Sequence, residues 1–93
     1  MSYKEEEVKD NHVKDLIRAK ESLMEELEAI IYYEARASVT ADKSLKSVLE
    51  HNRDDEKEHA TLLIEWIRRN DPTFEKELKE ILFSKKELKD LWD

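Results

Sequence analysis

The stretch Leu49-Glu50-His51-Asn52-Arg53-Asp54-Asp55-Glu56-Lys57-Glu58-His59-Ala60-Thr61-Leu62-Leu63 reads as the middle of an amphipathic helix with one anomaly. Leu49, Leu62 and Leu63 belong to an apolar stripe at three-and-four spacing, yet the positions between them on that stripe are Asn52, Asp55, Glu56 and His59. Glu56 and His59 stand three residues apart, so their side chains share a helical face, as two ligands of one metal ion would. Ionisable groups in an apolar stripe cost several kcal/mol unless they are paired, hydrogen-bonded or metal-bound. A function is the simpler explanation of that exception than packing.

Outward from this stretch, the stripe Leu45, Val48, Leu49, Asn52, Asp55, Glu56, His59, Leu62, Leu63, Trp66 and Ile67 predicts a second helix over residues 43–69. Before it, Val13, Leu16, Ile17, Leu23, Met24, Leu27, Ile30 and Ile31 predict a first helix over 10–39. Thr40 and Asp42 in the short polar link are both suited to cap the second helix, and so short a link makes the pair an antiparallel hairpin. Asn70-Asp71-Pro72 ends the second helix and starts short C-terminal helices over 72–92, with Asp71 as N-cap and Pro72 in the first turn. Ser84 with Glu87 has the spacing of a capping box for the last turns. Residues 1–9 are charged and aperiodic and read as a flexible arm. The chain is expected to be one all-α domain, 1–93.

Composition supports this and narrows function. The sequence has 93 residues, no glycine and one proline, which leaves little turn chemistry and favours helix. A net charge of −7, from 17 basic and 24 acidic residues, repels phosphate backbones and anionic membranes and suits cations. No nucleic acid is expected as partner. The apolar run Ala29 to Tyr33 is far below the ~20 residues that span a bilayer, and the N-terminus lacks an apolar signal region, so no membrane association is expected and a cytoplasmic protein is. With no cysteine, a metal must be held by carboxylate and imidazole, a set that suits Fe, Mn or Zn.

Glu26 is the residue on the first helix that can answer Glu56. It stands at the margin of the apolar stripe, whereas Glu25 is rotated towards solvent. In a hairpin closed near residue 41, Glu26 and Glu56 lie similar distances from the turn and reach the same level at ~1.5 Å per residue. One Glu and one Glu-x-x-His make half of the ligand set of di-iron carboxylate bundles. Two chains paired about a twofold axis would supply the whole, rebuilding a ferritin-like four-helix bundle with the site at the dimer interface. His59 would then need an acceptor for its other ring nitrogen, for which Asp55, four residues earlier, is a candidate. His12 and His51 read as surface histidines, and Trp66 and Trp92 as packing residues.

The segments Met24-Glu25-Glu26-Leu27-Glu28-Ala29, Leu49 to Ala60 and Leu63-Ile64-Glu65-Trp66-Ile67-Arg68-Arg69 resemble the encapsulated ferritins. The resemblance covers residues 15 to 83. It implies a ferroxidase that oxidises Fe(II) to Fe(III) at a di-iron centre, in homodimers that assemble into a larger ring, expected as a decamer. The ring would work inside an encapsulin nanocompartment that stores the iron. On this resemblance Glu26, Glu56 and His59 from two chains are the iron ligands, with Glu56 as the bridge, and other divalent metals can substitute. Tyr33 matches a tyrosine beside the centre, and Glu25 and Glu28 match residues that attract metal on its way in. Tyr32 stands where relatives carry tryptophan. Free-standing relatives end in a tail that docks in the shell, and the sequence reaches Asp93 without that peptide. A removed tail, fusion to a shell protein and another route of delivery are all open. A rubrerythrin-like di-iron peroxidase and a non-catalytic helical dimerisation or adaptor module are the alternatives.

Overall fold

The computed structural model describes residues 3–92; the first two residues of the N-terminal arm and the last residue of the chain lie outside the described residues. Two long helices, α1 (Asn11–Val39) and α2 (Lys43–Asn70), form a hairpin, and a shorter α3 (Pro72–Ile81) packs on α2. Single 3-10 turns lie at Glu5–Glu7 and Leu88–Asp90, and the described residues contain no strand. None of the helices is long and apolar enough to cross a membrane.

Each helix starts on an aspartate whose carboxylate satisfies backbone N–H groups that have no partner within the helix. Asp10 accepts from His12 and Val13, Asp42 from Leu45 at 2.8 Å, and Asp71 from Phe74 at 3.1 Å, with Pro72 in the first turn of α3. Of the two possible caps before α2, Asp42 takes the role. Thr40 instead ends α1, and its hydroxyl accepts the Asp42 N–H at 3.3 Å.

The register of the hairpin can be followed in cross-contacts. His59 lies beside Glu26 at mid-length, and His12 Nε2 lies 3.2 Å from the Asn70 carbonyl oxygen at the open end. Lys20 Nζ donates to Asp71 Oδ2 at 3.2 Å, tying α1 to the start of α3. On the other side of that corner, Arg68 donates to both oxygens of Glu65 at 2.7 Å and to Glu75 at 3.3 Å, which fixes α3 against α2.

The expected capping box is not formed. Glu87 has extended backbone (φ −61, ψ 144), so it cannot occupy the third position of a helix and reach back; Ser84 Oγ accepts from Lys86 instead. Phe83, just past α3, has φ 61, a left-handed conformation that is unfavourable for a bulky residue, and is almost fully exposed. The arm is laid along α1: the Tyr3 hydroxyl donates to Glu21 and Glu5 pairs with Arg18. The bond to Glu21 pushes the Tyr3 hydroxyl pKa up to about 12.

The core is thin. Among the described residues, Ala19, Ala37, Ala60 and Ile67 are the buried apolar ones. Apolar residues of the same stripes remain open, among them Met24 at 69% and Leu62 at 63% exposure, with Leu27, Ile31, Leu45, Val48 and Trp66. The radius of gyration is 17.0 Å, against about 12 Å for a compact domain of this length. The chain exposes 7824 Å², roughly 2,000 Å² more than a compact monomer of its mass.

Ile67 is 1% exposed, and Ile67→Ala is expected to cost about 2–5 kcal/mol in chemical unfolding. Acid should loosen the α2 end as well. Hydrogen bonds from Arg68, then Arg69, pull the Glu65 carboxyl from 4.5 down to about 2, so its contribution is complete above pH 4.5 and is lost as pH falls towards 2. Glu65→Gln should flatten that limb of a stability-against-pH curve, and the difference from the unsubstituted protein should shrink in high salt.

Candidate metal centre

Glu26, Glu56 and His59 converge at mid-hairpin. Glu26 comes from α1 and the other two from α2, one turn apart as their spacing requires. His59 Nδ1 stands 3.3 Å from Glu56 Oε2 and 3.7 Å from Glu26 Oε2, and one ligand atom from each residue falls within 4.8 Å of the others. Two donors at ~2.1 Å from one ion are at most about 4.2 Å apart, so small rotations would bring all three into ligand range. Two carboxylates and an imidazole without a thiolate form a hard donor set fitted to Fe, Mn or Zn.

The carboxylates and the imidazole differ in exposure. Glu26 and Glu56 lie in the seam between the helices, their side chains 27% and 21% exposed, and the His59 side chain is 49% exposed. His59 stands on the open stripe of α2, between Val48 and Leu62, so the cluster opens onto the uncovered apolar face. With Nδ1 turned towards the carboxylates, Nε2 is the ring nitrogen that faces away from them.

The remaining predicted residues surround this cluster at different distances. Tyr33 is half-buried on α1, seven residues and therefore about 10 Å along the axis from Glu26. Glu25 and Glu28 are exposed, and with Tyr3, Glu21 and Met24 they line a surface cavity of about 250 Å³. Tyr32 donates from its hydroxyl to Glu28 at 3.1 Å, and the Arg36 guanidinium lies 5.9 Å from its ring centroid. Asp55 does not serve His59 within its own chain. Its Oδ2 is taken by His51 Nε2 at 3.2 Å, the histidine four residues before it, at the same spacing as His59 four residues after. Sequence reading assigned no role to Tyr3; its only local signal is an aromatic ring in a charged arm.

Comparison with known proteins gives consistent likenesses. The model of the EncFtn-like family matches residues 1–85. A "Ferritin-like protein" of Thermotoga maritima is 44% identical over 78 residues, covering 84% of this chain and 68% of the relative. An "Encapsulated ferritin-like protein" of Rhodospirillum rubrum is 48% identical over 67 residues, 72% of this chain and 48% of the relative, so the match spans about half of that protein. The "Encapsulin nanocompartment cargo protein EncC" of Myxococcus xanthus is 45% identical over 47 residues, 50% of this chain and 36% of its own. Among solved structures, the crystal structure of protein ne0167 from Nitrosomonas europaea superposes with a TM-score of 0.87 at 48% identity, covering 94% of this chain and 96% of that one.

A cluster that binds a divalent ion only when folded should raise stability by mass action, by about 2.7 kcal/mol at a hundredfold excess over Kd. Thermal melts with Zn(II) as probe should show an upward shift that Glu56→Ala and His59→Ala abolish.

Proposed function

The chain belongs to the EncFtn-like family, the encapsulated ferritins, and we propose that it is a ferroxidase whose di-iron site is completed when two copies pair. One observation carries this reading: Glu26, Glu56 and His59 come together on the side of the hairpin that is left apolar and uncovered. A single chain offers three ligands, too few for two ions, and two chains related by a twofold axis offer six. The excess surface of roughly 2,000 Å² per chain comfortably exceeds the ~800 Å² that each partner buries in a standard interface.

Iron is the substrate in this reading. Glu26 and Glu56 supply negative charge that favours Fe(III) over Fe(II), and Glu56 would be the bridge between the two ions, as the family resemblance implies. His59 binds through neutral Nδ1. Each Fe(II) gives one electron to a shared oxidant; with two protons, dioxygen becomes hydrogen peroxide, or peroxide becomes two waters. Glu25 and Glu28 would gather cations at the surface, and Tyr33 would line the paired site from further along α1. Relatives named as encapsulated and as encapsulin cargo support the same destination here: a shell of encapsulin protein in the cytoplasm, entered by a ring of dimers, with a decamer as the expected size. The exposed Phe83, Leu88 and Trp92 give such a ring apolar surface outside the dimer face.

Purified protein given Fe(II) in air should develop Fe(III) absorbance faster than buffer, and a Glu56→Ala, His59→Ala double variant should fall to the buffer rate. Equal rates would remove the ferroxidase. An adaptor module predicts no iron dependence. Native mass should rise from monomer to dimer or higher when Fe(II) is added without oxygen.

A further inference from the structure

The open face of α2 is a stripe at strict three-and-four spacing: Leu45, Val48, Asn52, Asp55, His59, Leu62 and Trp66. A second copy bound about a twofold axis must lay this helix antiparallel on itself, each position facing its mirror image about the axis. Such a stripe has several axes of this kind, and they differ in what they pair. An axis near residue 53 or 54 sets Asp55 on Asn52 and Val48 on His59. One near 60 or 61 sets Asp55 on Trp66. The axis at residue 57 sets Val48 on Trp66, Asn52 on Leu62 and Asp55 on His59, and it also superposes the two Glu26, Glu56 and His59 clusters.

We infer that, in the dimer proposed above with its axis at residue 57, Asp55 of each copy is a positioning residue for His59 of the other. The inference rests on the paired site proposed above. His59 turns Nδ1 to the carboxylates, which leaves Nε2–H to face the second copy. Asp55 is on the open stripe with its side chain 51% exposed, and one of its oxygens is not engaged by His51. A metal-binding histidine ordinarily donates its other N–H to such a carboxylate, which fixes its tautomer and ring orientation. Asp55 thus serves a histidine that it does not reach in its own chain.

The chain has no cysteine, so a Val48→Cys, Trp66→Cys variant carries the only thiols. Mild oxidation should give a covalent dimer, while either single variant should not, because each of these positions lies about 27 Å from its own copy across the axis. Asp55→Ala should weaken anaerobic Fe(II) binding about ten- to a hundredfold with dimer mass retained, Asp55→Asn should fall between, and His51→Ala should match the unsubstituted protein. A dimer that fails to cross-link through 48 and 66 overturns the axis. Unchanged Fe(II) affinity in Asp55→Ala overturns the role of Asp55. Oxidation of the two thiols does not itself require metal, so a Val48→Cys, Trp66→Cys variant that cross-links while the unsubstituted protein binds no Fe(II) would fail the ferroxidase reading and the Asp55 role, and would leave the axis standing.

Discussion

Two apolar stripes on one helix require two neighbours, and each long helix of this hairpin has only one long partner. Leu49, Ala60, Leu63 and Ile67 turn α2 towards α1, and Val48, Leu62 and Trp66 turn it away. The remaining architecture accommodates this constraint. The core that α1 and α2 share is small, three of its four buried residues being alanines, and α3, held by Arg68 and Lys20, packs at the end of the hairpin away from its turn. Burial of the outer stripe is the largest source of free energy the hairpin has not used.

The ionisable cluster lies at the boundary between these two faces. In a hairpin alone, Glu26 and Glu56 are partly desolvated with only the half-exposed imidazole of His59 between them, an arrangement that leaves two carboxylates close together with no fixed positive charge. A divalent cation relieves that repulsion, and covering the face strengthens the attraction by lowering the local dielectric. In the proposed dimer, metal binding and association would thus favour each other, in the sense that linkage requires.

Much of this was legible in the sequence because it depends on spacing. Helical period, absence of glycine, Asp42, and Asp71 with Pro72 locate the helices, and equal distance from the turn brings Glu26 to the level of Glu56. What could not be read is the division of a wide stripe. Leu63 and Leu62 are equally apolar, and only the position of α1 makes one an inner residue and the other an open one. Asp55 fails for a related reason: His51 and His59 both stand four residues from it, so spacing does not say which imidazole it takes, and in the folded chain it takes His51. The capping box fails because the left-handed Phe83 and the extended Glu87 carry the chain away from helix, a backbone choice that residue types at 84 and 87 do not reveal.

The dimer proposed above would have a genetic consequence. Across a twofold axis, one codon change alters two positions that face each other a few ångströms apart, so its effect near residue 57 is counted twice in a single step. In such a dimer a favourable change would be doubled and so would a harmful one, and two proposed ion positions could not drift apart in affinity while both halves are read from one gene. Duplication and fusion of that gene would remove the restriction, letting one half specialise while the other keeps the original ligands.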